Sequence, residues 1–107
     1  MGQVSVVARI EAKPGKGDEL AAAAADMVAA VEAEAGTLVY ALSRSPKEPE
    51  VFWFFELYTG KEALAEHGQS DAMKAFQARI ADIIAPGTQI HRLTPVVAKG
   101  VEFAPGD

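Results

Sequence analysis

The segment Val51-Phe52-Trp53-Phe54-Phe55-Glu56-Leu57-Tyr58 constrains the fold more than any other part of the chain. Its aromatic and β-branched residues suit a strand, yet large apolar groups stand on both parities. Val51, Trp53, Phe55 and Leu57 make one row, and Phe52, Phe54, Glu56 and Tyr58 make the other. An antiparallel strand wetted on one side should instead alternate apolar with polar. Val7, Val39 and Ala41 add apolar area on the opposite parity of other strands. Leaving even five such side chains in water would forgo about 10 kcal/mol, at ~1.5–3 kcal/mol each. That is comparable with the ~5–15 kcal/mol by which a whole domain is stable. Helices hide one face of such a sheet, so a second copy of the chain is expected over the other, closing a barrel across a homodimer.

The other elements follow from periodicity and punctuation. Val4, Val6, Ala8 and Ile10 alternate with Ser5, Val7 and Arg9, which predicts a first strand. Lys13 to Gly17 breaks it, and Leu20, Ala24, Met27, Val31 and Ala35 then mark a helix with Asp18 and Glu19 in its first turn. Gly36 is placed as the glycine after that helix. Thr37 to Ser43 reads as a second strand, joined by the polar loop Ser45 to Glu50 to the apolar third strand. Thr59-Gly60-Lys61-Glu62 has capping-box spacing and predicts a short helix ending near Gly68. Ser70 predicts the cap of a further helix carrying Met73, Phe76, Ile80 and Ile83, which Pro86-Gly87 stops. Thr88 to Val97 reads as the last strand. The order β-α-β-β-α-α-β predicts an α+β, ferredoxin-like, four-stranded antiparallel sheet with helices on one face. A single domain is expected over 1–97, with a loosely held C-terminal tail over 98–107.

With 107 residues, one domain burying roughly 65% of its surface is expected. The absence of cysteine excludes disulfides, thiolate zinc and thiol catalysis. Fifteen acidic residues against 10 Lys and Arg leave no basic stripe for nucleic acid. No apolar run reaches the ~20 residues of a membrane span. Met1-Gly2-Gln3 lacks the basic-then-apolar start of a secretory signal, and Val6 breaks the myristoylation pattern. A cytoplasmic protein is expected.

Two histidines are present. His67 falls on the sheet-facing side of the short helix, where an imidazole suits a general base, a hydrogen-bond donor or a core residue bonded to a carbonyl. His91, beside Arg92 in the last strand, reads as surface or interface. Metal binding is not expected, because the histidines are far apart and Glu62 and Glu66 suit a solvated helix face. Gly15-Lys16-Gly17 lacks phosphate-loop spacing, and no GxSxG elbow is present. Glu56 interrupts an aromatic row and needs a partner, for which Arg9 and Arg44 are candidates. Tyr40, Phe52, Trp53, Phe54, Phe55, Tyr58 and Phe76 are mostly core, with some expected to line a pocket for a flat apolar ligand.

In order and spacing, the pieces Val6 to Lys16, Glu34-Ala35-Gly36-Thr37 with Tyr40, Phe54-Phe55-Glu56-Leu57-Tyr58 and His67-Gly68-Gln69-Ser70 with Phe76 resemble the antibiotic biosynthesis monooxygenase family. The likeness runs from Val4 to about Leu93. It implies a dimeric α/β barrel that oxygenates a small quinol-like or polyketide phenol without metal, flavin or other cofactor. A deprotonated quinol itself reduces dioxygen, so the protein supplies a dry cavity, orientation and a base. The resemblance points to His67 as base or donor, to Tyr58, Trp53 and Phe76 around the substrate, and to Glu56 as an orienting or bracing group. One departure is Ala72, where many relatives carry a second histidine. The heme-degrading branch uses an Asn-Trp-His set, and this chain has no Asn, so heme degradation is not expected. Two further readings remain open at this point. One is isomerisation or breakdown of a small signalling carbonyl compound; the other is a non-catalytic, ligand-binding stress-response dimer.

Overall fold

A computed structural model describes residues 2–103. Strand β1 (Val4–Glu11) leads to helix α1 (Gly17–Val31), and strands β2 (Thr37–Arg44) and β3 (Val51–Tyr58) follow. Helices α2 (Lys61–Gln69) and α3 (Asp71–Ile80) then precede strand β4 (Gln89–Leu93). The sheet is antiparallel in the order β2-β3-β1-β4, the ferredoxin-like arrangement expected from the sequence.

Register decides what each face carries. Ala8 pairs with Phe54 and Ile90, Ile10 pairs with Phe52, and Tyr40 pairs with Glu56. These residues share the face on which Leu20, Ala23, Ala24, Met27 and Val31 of α1 and Phe76 and Ile80 of α3 form the core. The alanines of α1 allow close approach to its neighbours, and an ion pair between Arg79 and Asp26 joins α3 to α1. The opposite face carries Val7, Phe55 and Trp53, with Trp53 still 39% exposed. Among the described residues no helix is long and apolar enough to cross a membrane.

Several boundaries differ from the sequence expectation for local reasons. Helix α1 stops at Val31, so Ala35 is outside it. The chain tightens there into three-residue turns, Glu34 N–H donating to Val31 O and Thr37 N–H to Glu34 O. Gly36 lies where a Cβ would come within 2.6 Å of the Ala63 Cβ, so its lack of a side chain lets α2 pack close. The capping box does not form: Gly60 precedes α2 without a side-chain cap, and Thr59 N–H donates to Gly36 O. Gly68 lies within α2, which ends instead at Ser70. The Ser70 Oγ donates to His67 O at 2.8 Å and accepts from Met73 N–H at 3.1 Å, closing one helix and opening the next. Helix α3 ends at Ile80, which leaves Ile83 in the following turn, its carbonyl accepting from Lys13 N–H. Strand β4 stops at Leu93 rather than Val97, because Pro95 has no N–H for the ladder and restricts Thr94 before it. Of the tail expected over 98–107, residues 104–107 lie outside the described residues.

Ser70→Ala should therefore lower stability by about 1–2 kcal/mol in urea denaturation, with both helix ends losing a partner. Thr59→Ala should change it by no more than about 0.5 kcal/mol.

Candidate active site

A cavity of about 320 Å³ lies between the sheet and α3. The sheet contributes Ala8 and Ile10 from β1, Tyr40 from β2, Phe54 and Glu56 from β3, and Ile90 from β4. Met73, Phe76, Gln77 and Ile80 of α3 close it from above, with Thr88 at its rim. The lining is apolar apart from Gln77, Thr88, the Tyr40 hydroxyl and one carboxyl, that of Glu56.

Glu56 is buried, and Tyr58, two residues along the same face, donates its hydroxyl to the Glu56 Oε1 at 2.5 Å. Burial raises the Glu56 carboxyl above its ordinary value; the Tyr58 hydrogen bond and the charge of His67 oppose that rise without cancelling it. Burial, then the Glu56 bond, pushes the Tyr58 hydroxyl far above a free phenol. Tyr40 is pushed up by burial and by the charges of Glu56 and Glu34. Both tyrosines thus stay protonated, and Tyr58 donates to the Glu56 carboxyl. Neither arginine expected beside Glu56 reaches it. Arg9 bonds Glu11 on its own strand, while Arg44 holds Asp18 at 2.9 Å and lies 5.0 Å from the Phe52 ring centroid.

His67 is buried behind the cavity wall and is not among the cavity's lining residues. Its ring packs 5.0 Å from Tyr40 and 5.4 Å from Tyr58, centroid to centroid. The Nδ1 lies 2.9 Å from the Glu34 Oε1, which also accepts from the Thr37 hydroxyl at 2.8 Å. A carboxylate oxygen only accepts, so opposite an ionised Glu34 it is Nδ1 that carries a hydrogen. On its outer side His67 borders a second, polar cleft of about 280 Å³ with Glu34, Thr37, Glu66 and Ser70.

The residues singled out in the sequence are thus divided. Glu56 and Phe76 line the cavity, and Tyr58 is wholly buried beside it as the hydrogen-bond partner of Glu56. Trp53 stands on the opposite face of the sheet, level with Arg9 and Ser43, because strand parity sends alternate residues of β3 to opposite sides. His91 is exposed on β4, its Nε2 3.4 Å from the Gln89 Oε1. Glu34 enters the sequence reading only as part of the family-like piece Glu34 to Thr37 and Met73 only as part of an apolar stripe, while Gln77 carries no signal there. Tyr40 was legible as one of a set of aromatics and as part of the family-like pattern, but its place opposite Glu56 depends on the β2–β3 register. Among the described residues no cluster of three or more His, Cys, Asp or Glu could hold a metal.

A model of the antibiotic biosynthesis monooxygenase family matches residues 3–79, and the chain belongs to that family. Among solved structures it is similar to a Caulobacter crescentus protein whose name assigns it provisionally to the same family. The two share 36% identity over 90% of this chain and 92% of that one, with a TM-score of 0.84. A protein from Shewanella oneidensis is 28% identical over 91% of this chain and 94% of its own, with a TM-score of 0.83. A Nitrosomonas europaea protein shares the fold at a TM-score of 0.85, with 17% identity over 94% of this chain and 97% of its own. A comparison with curated proteins finds no match.

The raised Glu56 carboxyl fixes the sign of a stability effect. The folded state binds this proton more tightly than the unfolded chain, so stability is fully present below the ordinary carboxylate value of 4.5. It falls as the pH rises from there through the higher folded-state value. Glu56→Gln keeps an acceptor for Tyr58 but cannot ionise. Its stability relative to the parent should therefore climb across that window and then level off, as read by urea melts at a series of pH values.

Proposed function

We propose that the chain is a monooxygenase that oxidises a small quinol or electron-rich phenol with dioxygen in the cavity beneath α3, with Glu56 as the base. The observation that carries this reading is one buried carboxyl, raised above its ordinary value, on an otherwise apolar wall. A carboxylate so placed is a stronger base than one in water and sits beside the bound ring. Membership of the family and the name of the Caulobacter crescentus relative support oxygenation over other uses of the base.

The steps asked of the protein are few. Glu56 takes the proton of a substrate hydroxyl, and the resulting phenolate is electron-rich enough to reduce dioxygen. A ring carbon gains one oxygen atom and becomes a carbonyl, and the second oxygen leaves as water. All four electrons come from the substrate, so the balance needs no external reductant. Tyr58 holds Glu56 in place, while the Tyr40 hydroxyl can donate to the substrate oxygen as negative charge gathers on it. Phe54, Phe76 and Ile80 keep water from the reactive ring.

The same proposal includes a homodimer. Its support is the sheet face that carries Val7, Phe55 and half-exposed Trp53, together with Leu93 at 49% exposure. A second copy laid on this face would remove that apolar surface from water without touching the cavity side.

An oxygen electrode with a panel of hydroquinones and polycyclic phenols tests the reaction. Uptake is expected with at least one of them, and Glu56→Gln should lower kcat roughly 10²- to 10⁴-fold. No uptake across the panel, or full activity in Glu56→Gln, overturns the reading. Sedimentation tests the assembly: the parent should run as a dimer at micromolar concentration and Trp53→Glu as a monomer.

A further inference from the structure

The polar groups of the cavity stand toward its two ends. Glu56 is level with Val6 of β1, and Val6 in turn with Arg92 of β4. Thr88 precedes Gln89, the partner of Arg9, and so falls beside Ile10, four residues along β1 from Val6. Strand geometry then puts Thr88 about 13 Å along the sheet and about 10 Å across it from Glu56. Between these ends the floor is Ala8, Ile10, Phe54 and Ile90, all apolar. Helix α3 runs the same way. Its first turn is tied through Ser70 to His67, whose ring lies against Tyr40 and Tyr58, while Ile84 beyond its end bridges to Ala12. Gln77 lines the cavity one turn past Met73, about 6 Å nearer the Thr88 end.

Three observations extend the ligand to that far end. Ile90 lies on the helix-facing side of the sheet, yet it is 67% exposed, so the cavity opens between α3 and β4. A ligand reaching this mouth would cover its side chain. Among the described residues neither the Gln77 nor the Thr88 side chain has a protein hydrogen-bond partner, which leaves both for a ligand. Volume points the same way: an apolar cavity of roughly 150 Å³ takes one benzene ring, and this one holds about 320 Å³.

We infer that Gln77 and Thr88 form a specificity subsite at the mouth, reading an oxygen substituent on the far end of an elongated, fused-ring substrate whose near hydroxyl meets Glu56. The inference rests on the proposed function only in placing that near hydroxyl on Glu56. The Gln77 amide and the Thr88 hydroxyl each offer a donor and an acceptor, so the far oxygen is matched as a hydroxyl or as a carbonyl. A hydrogen bond of about 2.8 Å at each end, with the reach of the side chains, leaves roughly 8–10 Å between the two ligand oxygens. One ring with para hydroxyls is too short for this span, whereas two fused rings with oxygens at opposite ends fill it.

The test is calorimetric titration under nitrogen with 2-naphthol and 2,6-dihydroxynaphthalene, in the parent, Gln77→Met and Thr88→Val. Both changes are nearly isosteric and both sites are exposed, so the core is left intact, which circular dichroism checks. The parent should bind the dihydroxy compound about 3- to 10-fold more tightly than 2-naphthol, and each variant should lower that ratio at least about twofold. The ratio is a readout that a merely structural role would not move, because general loosening weakens both naphthols alike. With a quinol that turns over, the variants should raise KM for the two-ended compound by the same factor. A parent ratio below about threefold, a ratio that either variant leaves within about twofold of the parent's, or no binding of either naphthol overturns the inference. Binding is read without oxygen. The expected ratios without oxygen uptake from any quinol would therefore uphold the subsite and sink the oxidation reading, and uptake without those ratios would do the reverse.

Discussion

A carboxylate set into the middle of an apolar strand row is the constraint around which the rest of this site is arranged. Glu56 stands between Phe54 and Tyr58 on the helix-facing side of β3, buried from water. Burying it unpaired would cost several kcal/mol, so neighbouring elements have to answer it. Tyr58 does so first, because a residue two positions along a strand points to the same side. Tyr40 is brought level with it by the pairing of β2 and β3, and His67 is pressed against both tyrosines by α2. A shift of one residue in that pairing would send Tyr40 to the other face and leave the carboxyl without its surroundings.

The same two-residue period separates the two demands on β3. Even-numbered positions from Phe52 to Tyr58 build the core, the cavity and its carboxyl, while Trp53 and Phe55 present apolar area to the other side. Cavity chemistry and any contact across the open face therefore draw on different side chains of one strand. Such an arrangement explains why β3 looks overloaded with aromatics: each row serves its own side, and neither is surplus.

Much of the fold was legible because it rests on local patterns. The alternation in β1, the stripe of α1, the Ser70 cap and the doubled apolar rows of β3 each predict an element by themselves. What could not be read depends on contacts between distant segments. The Thr59 capping box had the right spacing, yet the Thr59 N–H is held by Gly36, so α2 starts later. Trp53 and Tyr58 are both large aromatics of one strand, and only knowledge of which parity faces the helices sets them apart. Glu56 was visible as an intruder in an apolar row, but its partner was sought among charges on adjacent strands. The actual partner is a phenol on its own strand. His67 was placed correctly on the sheet-facing side of its helix. That it backs onto the cavity rather than entering it follows from Tyr40 and Tyr58, whose rings lie beside it, and Glu34, which draws Nδ1 to the outer side.

The alanine at position 72, where the family resemblance leads one to expect a second histidine, bears differently on the site once its surroundings are known. Ala72 lies in the seam between α1 and α3 with Ala23, Ala30 and Ala75, and it is not among the residues lining the cavity of Glu56. A larger side chain there would extend into the cleft of about 150 Å³ between α1 and α3 rather than into the cavity of Glu56. Position 72 thus faces the seam between the helices, and its small side chain removes no group from the wall that holds the carboxyl. In the proposed reaction the catalytic demand falls instead on one ionisable side chain in a mostly apolar cavity. Such a chamber suits a substrate that brings its own reducing power, because the protein then has only to remove a proton, hold the ring and keep water out.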